Sequence, residues 1–404
     1  MGFNPLQEKG ISLDDQVRNW SELNVEPYDK ADVDPYTRCR VIAMNGLEVE
    51  AVFFSHQFNR HIDVPEVKAA LAETRAIEQQ QQKAVNWLIP GEETTLEVTL
   101  GYEQEAVDLT AWLARSEPDP YLKQTYDFGL LEDFDHLYRY ANLYELLEGK
   151  QAEGVVRRLT EVMPGRPTAN EHRDPRDNIR KHYDKHTADP RSRLHALTIT
   201  AAEQQTMNFY MTIGNRYMEP LARGLYAEIG MVEEEHVTQY ESMLDPAESW
   251  FEQLALHEYN ECYMYYSFAA QETHPRIRDL WNLHLGMEIE QLRVACELMK
   301  RYDGRDPAEV LPVELPEPVV FEPNKAYVRD VLATQIDLTS LGTGYVMDSH
   351  KRFQERLATV NTGGVPSEQV IDEHRAGFGT DYRIETEGPH PVERLRGDAF
   401  TRSR

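Results

Sequence analysis

The sequence predicts a mainly α-helical protein: a four-helix bundle with a long crossover connection, an extra helix pair, a small N-terminal β-hairpin and an extended C-terminal strap. Three observations lead there. Apolar residues recur at the helical period of about 3.6 through most of residues 65–301. A set of polar residues repeats three times: Glu103 with Asp133 and His136, Glu203 with Glu233 and His236, and Glu258 with Glu288 and Gln291, the gaps from the first carboxylate being 30 and 33 residues each time. Pro120, Pro220 and Pro275 stand at one offset in the three copies, and proline suits a first helical turn, whose N–H has no partner within the helix.

The polar stretch 1–38, broken by Pro27 and Pro35, reads as a wrapping arm. Val41–Met44, Asn45-Gly46 and Leu47–Phe54 then give the strongest hairpin signal in the chain, because Asn-Gly fits a type I′ turn. A helix over 65–89 stops at Pro90-Gly91, and further helices are expected over 93–115, 121–148, 190–218, 221–245, 249–272 and 276–301. Residues 115–120 and His274-Pro275 are short turns between antiparallel partners. The loop-like stretch 149–189 supplies the long connection that joins two hairpins in a bundle. The expected organisation is therefore an arm and hairpin (1–64), a helical bundle (65–245), an appended helix pair (246–302) and an extended wrapping region (303–404), the last marked by Leu311-Pro-Val-Glu-Leu-Pro-Glu-Pro318.

The 404 residues, 41% hydrophobic, suffice for a sizeable core. A formal charge of -28 disfavours nucleic acid and anionic membranes as partners. No apolar stretch is long and uncharged enough to span a bilayer, and the N-terminus lacks the apolar core of a signal peptide. Cys39, Cys262 and Cys296 offer neither a disulfide framework nor a Cys-x-x-Cys clamp, so a cytoplasmic setting is the default expectation.

The repeated carboxylates fall on apolar helix faces. Leu96, Leu100, Ala106 and Val107 share the face of Glu103, and Ala196, Ile199, Met207 and Tyr210 that of Glu203. Tyr126, Leu130, Leu137 and Tyr140 flank Asp133 and His136, while Tyr226, Ile229, Val237 and Tyr240 flank Glu233 and His236. Glu105 shares a different face with Gly101 and Asp108, which favours Glu103 as the ligand. Buried glutamates need partners. Two divalent cations would balance four carboxylates, and oxygen-rich ligation with one imidazole per ion suits iron or manganese, with zinc also compatible.

This pattern resembles the ferritin-like superfamily of carboxylate-bridged di-metal proteins, the group of rubrerythrins and the ribonucleotide reductase small subunit. The resemblance covers about 93–245. Glu103, Asp133, His136, Glu203, Glu233 and His236 take its ligand positions, with Asp133 departing from the family's Glu. It implies a ferritin-like bundle holding two Fe ions (alternatively Mn) that activates dioxygen or peroxide to oxidise a small molecule, with an electron-donor protein and a homo-oligomeric state as further expectations. Tyr140, Tyr210 and Tyr240 are candidates for redox or hydrogen-bonding roles beside the metals. Iron storage, manganese-catalase-like peroxide removal and a metal-free helical interaction protein are the alternatives. The third copy leaves open a rival site in which Glu203, Glu233 and His236 join Glu258, Glu288 and Gln291, with His284 replacing the missing imidazole. His172, His182, His186 and His195 lie in or near the long connection and read as surface groups, a second cation site being the less favoured reading.

Overall fold

The computed structural model of the chain describes residues 2–341, 344–347 and 350–397. Its α-helices are α1 (Trp20–Leu23), α2 (Thr37–His61), α3 (Pro65–Asn86), α4 (Thr95–Ser116), α5 (Pro120–Glu148), α6 (Glu153–Val156), α7 (Pro190–Ile213), α8 (Pro220–Glu241), α9 (Trp250–Gln271), α10 (Pro275–Leu298), α11 (Lys325–Gln335), α12 (Lys351–Val360) and α13 (Pro366–Phe378). Among the described residues no helix is long and apolar enough to cross a membrane.

Local sequence explains most helix starts. Pro65, Pro120, Pro220 and Pro275 each open a helix. Thr94 with Glu97, and Ser249 with Glu252, form reciprocal capping boxes on α4 and α9. Gly149 ends α5 in a left-handed conformation at φ 64°.

Two expectations are overturned. The N-terminal β-hairpin does not exist: α2 runs unbroken through 41–54, with Asn45-Gly46 inside it. Among the described residues the only strands are β1 (Leu338–Leu341) and β2 (Gly344–Met347), an antiparallel pair near the other end of the chain. Every residue from Tyr36 to Glu48 is buried, and a helix apolar all round has no polar face to reveal its period. Asn45 meets buried amides instead of turning the chain: its side chain bonds Gln205, and Gln82 Nε2 donates to its Oδ1 at 2.7 Å. Nor do the described residues of 303–404 stop at the two short helices expected beside an extended strap: they carry three, α11, α12 and α13.

The chain divides into two compact units. The first comprises residues 1–92, 182–205 and 244–320. In it α2 pairs with α3 and α9 with α10, while α2 also meets α9 and α3 meets α10, closing a ring of four helices. The third repeat is therefore not an appendage but half of this ring. Its core includes Ile42, Leu47, Leu71, Ile77, Tyr259, Ile277, Trp281 and Leu292, all buried. The arm lies along α10, where Ile11 N donates to Gly286 O at 2.7 Å.

The second unit comprises 93–181, 206–243 and 321–404. Here α4 pairs with α5, α8 meets α5, and α13 lies against both α5 and α8. Leu100, Val107, Leu130, Phe134, Leu137 and Ile229 form its core with Leu332, Val370, Ile371 and Ile384 from the C-terminal region. The long connection is pinned to α5 through Asp135, which accepts from Gly165 N at 3.0 Å and from Thr168 N at 2.8 Å. Only glycine fits at 165, because a Cβ there would stand 2.4 Å from Leu131 O. Helix α7 is continuous across the division at Gln205–Thr206.

Candidate metal centre

Glu103 projects from α4, Asp133 and His136 from α5, Glu203 from α7, and Glu233 and His236 from α8. All six are at most 1% exposed. The three-residue spacing of Asp133 and His136, and of Glu233 and His236, puts each pair on one helix face.

The side chains form two groups with one member in common. Glu103, His136 and Glu233 offer ligand atoms within 4.8 Å of one another, and so do Asp133, Glu203, Glu233 and His236. Glu233 lies between the imidazoles: Oε1 is 3.0 Å from His136 Nδ1, and Oε2 is 3.0 Å from His236 Nδ1. The two rings are 5.9 Å apart. Asp133 Oδ1 is 3.4 Å from His236 Nδ1, and Thr110 Oγ1 donates to Asp133 Oδ2 at 3.4 Å. Asp133 thus falls in one group only.

Sequence reasoning missed Glu132, which fixes His236. Its Oε2 accepts from His236 Nε2 at 2.5 Å, and its Oε1 accepts from Arg173 Nη1 at 2.5 Å. A carboxylate can only accept, so the imidazole carries a proton on Nε2. In the neutral ring the Nδ1 lone pair then faces the oxygens of Glu233 and Asp133. A cation between them, or a second proton on the ring, relieves that contact, and the donor set fits a metal. His136 Nε2, also buried, has no hydrogen-bond partner.

The electrostatics follow the same lines. Burial works to raise Glu132 and Glu233, but other groups outweigh it. Arg173 and the hydrogen bonds of Glu171 and His236 hold Glu132 well below the usual carboxylate range. His136 and His236 bring Glu233 down to about 2. Glu105, assigned to another face by the sequence, is fully buried, and burial with the charge of Asp133 pushes its carboxyl well up. Burial brings Glu235 to about 8, with Arg173 opposing. These residues escaped sequence reasoning because α4 is buried without a break over 99–114 and α5 over 125–144, so neither has a face to read.

Tyr140, Tyr210 and Tyr226 cluster beside Glu103 with ring centroids 5.0–5.6 Å apart. Burial raises Tyr140 and Tyr210 well above the ordinary phenol range. The Tyr240 ring lies tilted beside His236 at 6.2 Å and fills the space left by Gly129, where a Cβ would come 1.9 Å from its hydroxyl.

The third repeat goes elsewhere. Glu258, Glu288, Gln291 and His284 belong to the first unit, whereas Glu233 and His236 belong to the second. Their partners are a fourth copy that sequence reasoning missed: Glu48, Glu78 and Gln81 show the same gaps of 30 and 33 residues, with Pro65 at the shared offset. A β reading of 41–54 and glutamine in place of histidine hid it. The histidines of the long connection do not converge on a ligand group: His195 is buried, His182 is half exposed, and burial with Arg173 lowers His172 to about 4.

In comparisons with known proteins, no family model, no curated sequence and no solved structure matches the chain.

Proposed function

We propose that the chain is a di-metal oxidoreductase. Two iron ions, or manganese in their place, would be held by Glu103, Asp133, His136, Glu203, Glu233 and His236, and dioxygen or peroxide would serve to oxidise a small molecule. The observation that carries this reading is that Glu233 belongs to both ligand groups, as a carboxylate shared by two ions must. The donor set resembles that of carboxylate-bridged di-metal proteins. When bound, a metal pair supplies Lewis acidity and redox electrons at one place.

The chain's own residues prepare that place. Glu132 holds His236 in the tautomer whose Nδ1 faces the carboxylates. Tyr210 donates to Glu103 and limits its swing. Tyr140, buried against the same tyrosines, has a hydroxyl without a hydrogen-bond partner that can present a proton to a bound molecule. The absence of a Cys-x-x-Cys module leaves electrons to an external donor.

Anaerobic loading with Fe(II) or Mn(II), followed by elemental analysis and absorption spectroscopy on oxygen exposure, tests this reading. Two ions should depend on these residues. Glu233→Gln should lose both and Asp133→Asn one. A Glu233→Gln protein that still loads as the wild type does would refute the shared carboxylate. Oxygen evolution from peroxide, or hundreds of irons per assembly, would replace the oxidase reading with a catalase or a storage one.

A further inference from the structure

The first unit gathers the same repeat positions into a second polar interior. Glu48, Glu78, Glu258, Glu261 and Glu288 are at most 2% exposed, as are Gln81 and Gln291. Glu78, Glu258 and Glu261 each place an oxygen within 4.8 Å of the others. Among the described residues, no lysine or arginine forms an ion pair with any of the five carboxylates.

The amides occupy one side of this cluster. Gln81 donates to Glu288 Oε1, and Gln291 Nε2 donates to Glu288 Oε1 at 3.2 Å and to Gln81 Oε1 at 2.9 Å. Tyr265 donates to Glu48 and accepts from His284 Nδ1 at 3.0 Å, and His284 belongs to none of the ligand groups. The other side is bare. Glu78 Oε2, Glu258 Oε2 and the Gln291 amide oxygen meet no hydrogen-bond donor, and Glu261 finds only the Glu288 carboxyl. Unpartnered buried oxygens of this kind are rare in folded proteins.

We propose that Glu78, Glu258 and Glu261, with Glu48 and the Gln291 amide oxygen beside them, hold one hard divalent cation in the first unit. The donors are all oxygen, which selects Ca²⁺, Mg²⁺ or Mn²⁺ over softer ions. Each of the other two groups of candidate ligands contains an imidazole, so the centres differ in metal preference. The amides bonded to Glu288 stand where the other unit has its histidines, and their N–H groups stabilise that carboxylate without an ion. A cavity of about 250 Å³ lined by Arg18, Gln80, Gln81, Leu283, His284 and Met287 lies on the amide side. The site stands independently of the iron reading of the other unit.

The full chain, stripped of metal, is titrated with Ca²⁺ and with Mn²⁺ by calorimetry. The wild type should bind one Ca²⁺ per chain. The Glu258→Gln/Glu261→Gln protein should bind it at least 100-fold more weakly, while the His136→Ala/His236→Ala protein keeps it. Tb³⁺ is a second probe, because Trp281 is buried 5.9 Å from the Tyr265 ring and can sensitise its emission. Emission from the wild type should rise on Tb³⁺ addition and fall on Ca²⁺ addition, a readout that needs no variant to fold. Unchanged affinity in the double Gln protein, or a wild type that neither binds Ca²⁺ nor sensitises Tb³⁺, would overturn the site.

Discussion

Glu132→Gln separates orientation of a ligand from support of a neighbouring charge. Glu132 accepts from both His236 and Arg173 at 2.5 Å, in a site with no exposed atoms of its own. A glutamine has one acceptor, which Arg173 takes, so its NH₂ turns to His236. The imidazole must then accept at Nε2 and carry its proton on Nδ1, the atom 3.0 Å from Glu233. Losing such an outer partner lowers metal affinity by about 10–100-fold, or ~1.4–2.7 kcal/mol. The fold suffers less than the ~3–5 kcal/mol of an orphaned buried charge, because Arg173 keeps Glu171 at 3.4 Å and Glu235 at 3.7 Å. A chelator competition gives the affinity, and melting of the metal-free protein gives the stability. Expected is weaker binding at the group containing His236, with a modest loss in melting temperature. A protein that melts lower yet binds metal as tightly as before would show that Glu132 serves Arg173 alone.

Other expectations follow from packing and charge. Gly165→Ala should destabilise the second unit and expose 149–189 to limited proteolysis, since the new Cβ would meet backbone at 2.4 and 2.6 Å; unchanged cleavage would contradict the close approach. Gly129→Ala should cost about 1–3 kcal/mol by overpacking against Tyr240, and a second change, Tyr240→Phe, should restore much of the melting temperature. Burial opposes ionisation of Glu161, but Arg329 and the N–H groups of Thr386 and Glu387 outweigh it and hold its pKa below the ordinary carboxylate value. Its stabilisation is therefore present above the unfolded-state value and disappears as pH falls through the folded one. Glu161→Gln should then melt below the wild type at pH 7, by a gap that narrows as pH falls below the ordinary glutamate range; an unchanged gap would reject the linkage.

The helices of the hairpins were legible where one face stays polar or a proline marks the start, and the candidate ligands were legible because their spacing repeats. Much of what stayed hidden lies on enclosed helices: α2 is buried throughout 36–48, α5 over 125–144 and α9 over 254–265. Enclosure removes the period that distinguishes helix from strand. Asn45-Gly46 therefore looked like a turn, although Gln82 and Gln205 provide the contacts that hold it in a helix. Glu105 was assigned to a face that the fold does not leave open, and Glu132 was not noticed at all.

The order of the four hairpins has a consequence for how the chain is made. The second and third lie between the first and the fourth, and the first unit needs α2 and α3 to meet α9 and α10. During synthesis, α2 and α3 emerge with their apolar surfaces uncovered and wait until residue 298 before both mates exist. Such distant pairing is slow. The opening hairpin is thus the segment that nascent-chain chaperones should hold longest, and truncation before α10 should leave it the first region to aggregate.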